Sequence, residues 1–372
     1  MVLFVTSLGF IIFYGVLIFY YRYNWETLAE FEPAEVEPSS FISVIIPARN
    51  EEKNISHLLS ALRNQSYPIH LFEIIVVDDF STDGTADVIK NISLPNLIFT
   101  QPESEQGSSK KRAIESGIRI AKGNLIVTTD ADCIPPVNWL KTLNSFYTTK
   151  RAAFIAAPVK LAHTHKWVEV FQALDFITLQ GITAASVAAD FHMMCNGANL
   201  AYTRQSFQSV NGFEGIDHVA SGDDMLLMYK IRKHYPHNVF YLKSKAAIMS
   251  SEPMLTWKEF YMQRKRWASK TLVYDDYRII SVLIFVYIFN VLFFVLLTAA
   301  FFNNIYWWFV AAYLIIKTII EWSFVRSVAR FFGEQKLLKY FFIFQPFHIF
   351  YTVVIGLFSQ FGNYEWKDRK TK

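Results

Sequence analysis

Cysteine is almost missing from this chain. Cys133 and Cys195 are the only two in 372 residues, and their spacing forms no pair, so neither a disulfide framework nor a cysteine zinc site is indicated. That usage fits a reducing compartment. Net charge is scarce too. Lys and Arg number 36 against 32 Asp and Glu, leaving +4, too little at this length to suggest a nucleic-acid partner. A Gly-rich basic loop after the first strand-like run, expected of a nucleotidyltransferase, is also lacking. What abounds is apolar and aromatic: 52% of residues are hydrophobic, with 35 Phe, 19 Tyr and 9 Trp. Such an excess serves either one large core or segments whose solvent is lipid, where Trp and Tyr gather at the interface. The longest apolar runs lie toward the two ends of the chain, which favours lipid.

Residues 2–21 form a nearly unbroken apolar stretch, long enough to cross a bilayer. A cleaved signal peptide would need a basic start and small residues at a cleavage site. Here the run is followed by Tyr20, Tyr21, Arg22 and Tyr23, so residues 1–23 read as an uncleaved anchor. Arg22 on the far side places the domain after it in the cytoplasm. Residues 24–40, with Pro33 and Pro38, read as a linker. Two more apolar runs, 279–302 and 305–321, flank a turn at Asn303 and Asn304. A last run, 340–361, contains Pro346 and His348 and has Lys or Arg on both sides. The charge rule wants both of its ends inside. Either a re-entrant hairpin satisfies this, or a plain crossing breaks the rule. The tail 362–372 is basic, and its segment 365–369 (EWKDR) has no mechanism assigned to it.

Between these ends the chain alternates short β-branched runs with helical patterns. Residues 41–47 (FISVIIP) are almost uniformly apolar, the signature of a strand buried on both faces, and 72–77 read as a second buried strand. Residues 97–100 and 125–129 read as two further strands, with helices over 51–65, 85–91 and 108–122. Such alternation predicts a mainly parallel α/β sheet, whose ligands bind beyond the carboxyl ends of its strands. Polar clusters fall at those ends: Arg49 to Glu52 after the first strand, Asp78 to Thr85 after the second, Asp130 and Asp132 after the fourth. Each loop taken alone reads as caps and turns. Together they crowd carboxylates that repel unless a cation or donors sit among them. Asp130 and Asp132 straddle one residue, and in an extended segment both face one side. Hard oxygen ligands of this kind suit Mg²⁺ or Mn²⁺ and a diphosphate.

The segments SVIIPARNEE, VVDDFSTDGT, GSSKKRAIESG, TTDADC, NGANLAYTRQSF, GDDMLLMYKI and QRKRW occur in that order over residues 41–270. This series resembles the family 2, GT-A-fold inverting glycosyltransferases of membranes. The resemblance implies a cytosolic Rossmann-like domain over 41–278 with interfacial helices, and a transmembrane region over 279–361. It implies that Pro47, Ala48, Asn50, Glu51 and Asp79 surround the nucleotide, with Lys110 near its phosphates. Where the family often has Asn, this chain has Glu115. Asp132 is implied as the metal ligand, with Asp130 beside it and nearer the sugar or nucleotide. Asp224 is implied as the general base; Asp223 stands where the family usually has Glu. Asn199, Asp223, Gln263, Arg266 and Trp267 are assigned to the acceptor or diphosphate. Residues 163–190 have helical periodicity and are expected to lie against a membrane surface.

The function expected is metal-dependent inverting transfer of a hexose from a nucleotide-sugar, with UDP as the default nucleotide, to a lipid-linked or glycan acceptor. The expected setting is a bacterial inner membrane with the catalytic domain in the cytoplasm. Three other functions remain: a processive polysaccharide synthase, which needs a channel of several spans; a nucleotidyltransferase; and a non-catalytic nucleotide-sugar sensor, which would tolerate loss of Asp224, Gln263 or Arg266.

Overall fold

A computed structural model describes residues 2–33, 37–105, 109–217, 222–269, 276–359, 364–366 and 369–371. Helix α1 (Val2–Thr27) comes first. Strands and helices then alternate as β1 (Ile42–Ala48), α2 (Ile55–Arg63), β2 (Phe72–Asp78), α3 (Thr85–Lys90), β3 (Leu97–Thr100), α4 (Lys110–Ile120) and β4 (Leu125–Thr128). Next come β5 (Cys133–Ile134), α5 (Trp139–Lys150), β6 (Phe154–Ala156), β7 (Val159–Leu161) and the long α6 (Trp167–Ala188). They are followed by β8 (Leu200–Thr203), α7 (Arg204–Ser209), α8 (Met225–His234), β9 (Val239–Tyr241) and β10 (Met249–Ser251). Helices α9 (Trp257–Ala268), α10 (Tyr277–Phe302), α11 (Ile305–Phe332) and α12 (Leu338–Phe358) precede a pair of short strands, Tyr364–Trp366 and Arg369–Thr371. Lys367 and Asp368 lie outside the described residues.

The chain divides into two compact units. The first comprises Met1–Leu28, His163–Met193 and Pro253–Tyr364; the second comprises Ala29–Ala162, Met194–Glu252 and Glu365–Lys372. The second unit is built on a seven-stranded sheet of order β3-β2-β1-β4-β8-β6-β9. β1 to β4 run parallel, while β8 is antiparallel to both β4 and β6. β2 is buried at every position and β1 at all but Pro47, so their mostly apolar runs are what two covered faces require, and the buried Ser43 and Glu73 bond to each other. Helix α4 lies close on this sheet. A Cβ at Gly117 would stand 2.7 Å from Ile45 Cγ2 and 3.1 Å from Val77 Cγ2. A three-stranded sheet, β5-β10-β7, completes this unit's strands.

The first unit holds the long apolar helices. Among the described residues, five helices are long and apolar enough to cross a membrane: α1, α6, α10, α11 and the segment Gln335–Phe358 that contains α12. α6 departs from the expected surface placement. Its most apolar window is 83% buried, against 17–39% for the other four, because α1 and α11 pack along it. Gly181 permits this: a Cβ there would meet Val328 Cγ2 at 2.4 Å. α12 is one continuous helix with Pro346 inside it, so residues 338–358 form no hairpin.

α11 runs on to Phe332, well past the expected end at Glu321, and stops at Gly333 in the left-handed conformation (φ 75°). The charge at Glu321 does not end the helix because it is neutralised. Lys317 Nζ donates to Glu321 Oε1 (2.5 Å) and Gln345 Oε1 (2.9 Å). Gln345 Nε2 donates to Glu321 Oε2 (2.6 Å), and the Tyr14 hydroxyl donates to the same carboxylate. All four residues are buried, and the network ties α1, α11 and α12 together. Removing one member of a buried ion pair strands the other. Glu321→Leu is therefore expected to lose about 3–5 kcal/mol, read as thermal unfolding in detergent, and Glu321→Leu with Lys317→Met to recover much of it. Equal melting of wild type and Glu321→Leu would deny the network that role.

Candidate functional site

The carboxyl ends of β1, β2 and β4 share one edge of the large sheet, since these strands are parallel neighbours. The loops after β1 and β2 are zipped together there. The Asp79 amide donates to Ala48 O (2.7 Å), and Arg49 Nη1 donates back to Asp79 O (2.6 Å) and Phe80 O (3.1 Å). The Asn50 amide donates to Ser81 Oγ (3.0 Å) while Asn50 Oδ1 accepts from the Thr82 amide (2.9 Å). Glu51 donates its amide to Thr85 Oγ1 (2.8 Å) and accepts from Asn54 Nδ2 (2.8 Å). Asn50 and Phe80 both adopt positive φ, 53° and 57°, a conformation that non-glycine residues hold only under constraint. Burial pushes the Asp83 carboxyl up, but hydrogen bonds from Thr85 and the Glu52 amide outweigh it and hold it low. Pro47, Ala48, Asn50, Glu51 and Asp79 thus lie at this edge on a fixed frame, with Ala48, Glu51 and Asp79 buried in it.

Beyond β4 the expected extended segment is a turn. The Cys133 amide bonds to Asp130 O (3.2 Å), and the chain reverses into β5. Asp130 and Asp132 are therefore not ranged along one face of a strand. Thr129 Oγ1 donates to Ala198 O (2.9 Å), tying this turn to the segment ahead of β8. The Asp132 carboxylate lies 3.6 Å from Cys133 Sγ. Burial, reinforced by Asp132 and Asp130, drives that thiol's pKa well up, so it stays protonated.

Lys110, the first residue of α4, reaches into the acids. Its Nζ stands 2.6 Å from Asp130 Oδ1 and 3.1 Å from Asp223 Oδ2. Burial alone would lower the pKa of this ammonium; the carboxylates of Asp130 and Asp223 override it and hold the value above the usual lysine range. α4 starts here because the Ser109 side chain caps it, accepting from the Arg112 amide, as serine commonly does.

Asp224 is the N-cap of α8. Its Oδ1 accepts from the Met225 amide (2.8 Å) and its Oδ2 from the Gly197 amide (3.1 Å), which fixes the carboxylate's direction. Gly197 is the meeting point. A Cβ there would stand 3.1 Å from Lys110 Nζ, 3.5 Å from Asp223 Oδ2 and 3.6 Å from Asp224 Cβ. A side chain there would crowd the Lys110 ammonium by a few tenths of an ångström and touch both acids at ordinary contact distance.

Of the residues expected from the sequence, Lys110, Asp130, Asp223 and Asp224 therefore converge. Asn199 does not join them. It is fully buried, its Nδ2 donates to Pro158 O (2.8 Å) and Ala247 O (2.9 Å), and its Oδ1 accepts from Trp139 Nε1 (2.9 Å). Its amide is used up inside the fold, which corrects its assignment to acceptor or diphosphate. Gln263, Arg266 and Trp267 lie on α9, in the first unit. There the residue between them, Arg264, is the buried anchor. Its Nη2 stands 2.8 Å from Asp175 Oδ2, and its guanidinium lies 4.2 Å from the centre of the Trp267 ring. Sequence reasoning gives Arg264, inside the QRKRW segment, no role of its own; only its three-dimensional contacts give it work.

Among the described residues no three His, Cys, Asp or Glu side chains gather closely enough to cage a metal ion. The donors at hand are hard carboxylate oxygens, and a cationic group already lodges between two of them. Both facts fit a cation of the Mg²⁺ or Mn²⁺ type that takes its remaining ligands from a bound diphosphate and water.

Residues 43–207 match the family model described as Glycosyl transferase family 2. Over these residues the chain is similar to the family 2 glycosyltransferases. The probable glycosyltransferase YdaM of Bacillus subtilis is 29% identical over 234 residues, 61% of this chain and 54% of the relative. The dolichyl N-acetyl-alpha-D-glucosaminyl phosphate 3-beta-D-2,3-diacetamido-2,3-dideoxy-beta-D-glucuronosyltransferase of Methanococcus voltae is 37% identical over 117 residues, 30% of this chain and 35% of the relative. The chain thus spans about half the length of the first and a third of the second. The fold is that of the mannosyltransferase PcManGT from Pyrobaculum calidifontis, solved in complex with GDP-Man and Mn²⁺. The TM-score is 0.56 at 18% identity, over 96% of this chain and 98% of that one.

Because Asn199 is a structural amide, Asn199→Ala is expected to lose about 2–4 kcal/mol of stability through its stranded buried partners. The folded fraction should keep its nucleotide affinity, measured by titration calorimetry beside a melting curve. Lost affinity at unchanged melting temperature would return Asn199 to the site.

Proposed function

We propose that this glycosyltransferase transfers a hexose from a nucleoside-diphosphate sugar, in our reading a UDP-sugar, to a lipid-linked or glycan acceptor at a membrane, with inversion. The observation that carries the proposal is the Lys110 ammonium joining Asp130 to Asp223, beside Gly197 and Asp224, at the carboxyl edge of the sheet. Pro47, Ala48, Asn50, Glu51 and Asp79 would hold base and ribose, since that edge supplies carboxylate and backbone acceptors on a rigid frame. Asp224, anchored by the Gly197 and Met225 amides, would take the proton of the acceptor hydroxyl. The oxygen then attacks the anomeric carbon opposite the departing diphosphate, and the configuration inverts. Asp130 and Asp132 would hold a divalent cation, whose chemistry is to neutralise the charge of the leaving diphosphate. Lys110 would add positive charge beside it. Gln263, Arg266 and Trp267 on α9 would serve the diphosphate and the acceptor, with Trp267 offering a flat apolar face to a sugar.

The membrane setting rests on the five long apolar helices and on the relative whose name specifies a dolichyl-phosphate-borne acceptor. The solved mannosyltransferase of this fold was captured with a nucleotide-sugar and Mn²⁺, a ligand pair of the class proposed. We read residues 1–23 as an anchor, 24–40 as a linker, 41–278 as the catalytic domain and 279–361 as transmembrane. The catalytic domain then faces the cytoplasm, as Arg22 and the basic residues after α11 favour.

Detergent-purified protein with Mn²⁺, membrane lipid extract and a panel of UDP- and GDP-sugars tests this by release of nucleoside diphosphate. Asp224→Asn is expected to cut turnover by about 10²–10⁴-fold, the usual worth of a general base, with nucleotide binding retained. Full turnover by Asp224→Asn, or no release from any donor, would count against the proposal.

A further inference from the structure

We propose that Lys110 is a resident counter-cation. It occupies Asp130 and Asp223 in the free protein and so makes divalent metal binding contingent on the nucleotide diphosphate. The inference rests on the donor and metal chemistry proposed above and adds an order of assembly to it.

Charge sets the problem. Asp223 and Asp224 lie beside Gly197, and the Lys110 ammonium that reaches there pairs with Asp223 and with Asp130. Its Nζ lies 2.6 Å from Asp130 Oδ1, direct contact with an oxygen a metal would need. The position is built rather than incidental. Lys110 is the first residue of a helix capped by Ser109 and seated on the sheet through Gly117. Gly197 leaves the space its ammonium fills, for even a Cβ would stand 3.1 Å away. Asp223, where a longer Glu is usual in the family, pairs with the same ammonium at 3.1 Å.

A divalent ion arriving alone must therefore displace or crowd a cation of like sign, and like charges at such range oppose binding strongly. It gains little in return, because the described side chains offer no cluster of three ligands. A nucleoside diphosphate changes both sides of the balance. Its oxygens supply the missing ligands, and they give the Lys110 ammonium a second anion to pair with. Metal and nucleotide then load as a unit, and the acids stay neutralised when neither is present.

The test measures Mn²⁺ binding by the loss of the free-ion EPR signal, with and without UDP, on detergent-purified full-length protein. In wild type, UDP should tighten Mn²⁺ binding strongly. In Lys110→Met, nucleotide-free Mn²⁺ affinity should rise by about tenfold or more as the competing charge disappears, and the effect of UDP should shrink. Lys110→Arg keeps the charge and should keep nucleotide-free binding weak, which serves even where Lys110→Met folds poorly. Unchanged nucleotide-free affinity in Lys110→Met, or a tightening in Lys110→Arg equal to it, would overturn the counter-cation role while leaving the metal-dependent transferase standing. Absence of Mn²⁺ binding to wild type with UDP present would remove the metal reading itself, and this inference with it.

Discussion

One ammonium group holds together segments that would otherwise repel. The turn after β4 and the start of α8 each bring carboxylates to the space beside Gly197. A parallel sheet makes this crowding unavoidable, because its strands all end on one edge and its loops deliver their polar residues there. Lys110 is the answer that the fold supplies from within. Its helix must therefore be placed with care, and the packing shows how. Gly117 lets α4 settle against Ile45 and Val77, and Ser109 fixes where its first turn begins. A side chain at either glycine, 117 or 197, would move the charge that keeps the edge intact.

The first unit meets the same problem among tightly packed apolar helices. Lys317, Glu321 and Gln345 are buried among apolar helices, where an unpaired charge is far more costly than at a sheet edge. They are paired through hydrogen bonds as well as charge. Asp175 and Arg264 repeat the pattern between α6 and α9, with the aromatic faces of Trp267 and Phe260 around the guanidinium. Lys317, Glu321, Gln345 and Asp175 sit inside helices long and apolar enough to cross a membrane, whereas Arg264 reaches in from the more polar α9. Their burial explains why α11 runs on past Glu321.

Much of the sheet was legible in the sequence because strands buried on both faces must be mostly apolar. Residues 41–47 and 72–77 carry that signal, and β1 and β2 lie there. Helix α8 begins directly after Asp223 and Asp224, since an acidic pair ahead of an amphipathic run makes a helix start. The illegible parts depend on contacts between distant segments. Asn199 lies in a family-like segment, yet its amide turns inward to Pro158, Ala247 and Trp139; no local pattern distinguishes an amide facing a ligand from one facing a carbonyl. The Asp130–Cys133 turn reads as extended because spacing alone does not reveal a reversal. α6 reads as a surface helix because moderate apolarity describes both a helix lying on lipid and a helix surrounded by others. Only its neighbours decide.

The two departures from the family pattern also become intelligible together. Asp223 and Glu115 replace residues usual at their positions, and each has found a partner on or near α4. Asp223 pairs with Lys110. Glu115 Oε1 accepts from the Phe213 amide (3.4 Å), beside Gly212, where a Cβ would stand 3.1 Å from that oxygen. Lys111 donates to Ile216 O, and Lys230 donates to Gly212 O (2.7 Å) and Glu214 O (2.6 Å). Consecutive lysines at the start of one helix thus do different work: Lys110 neutralises acids, and Lys111 gathers carbonyls. Glu115, one turn on, holds the same loop by its amide. The stretch from Gly212 to Ile216 is fastened from α4 and α8 at once, and it leads toward Gly222, Asp223 and Asp224. A helix that positions the cation also fastens the approach to the proposed base, so a substitution on α4 should act on both.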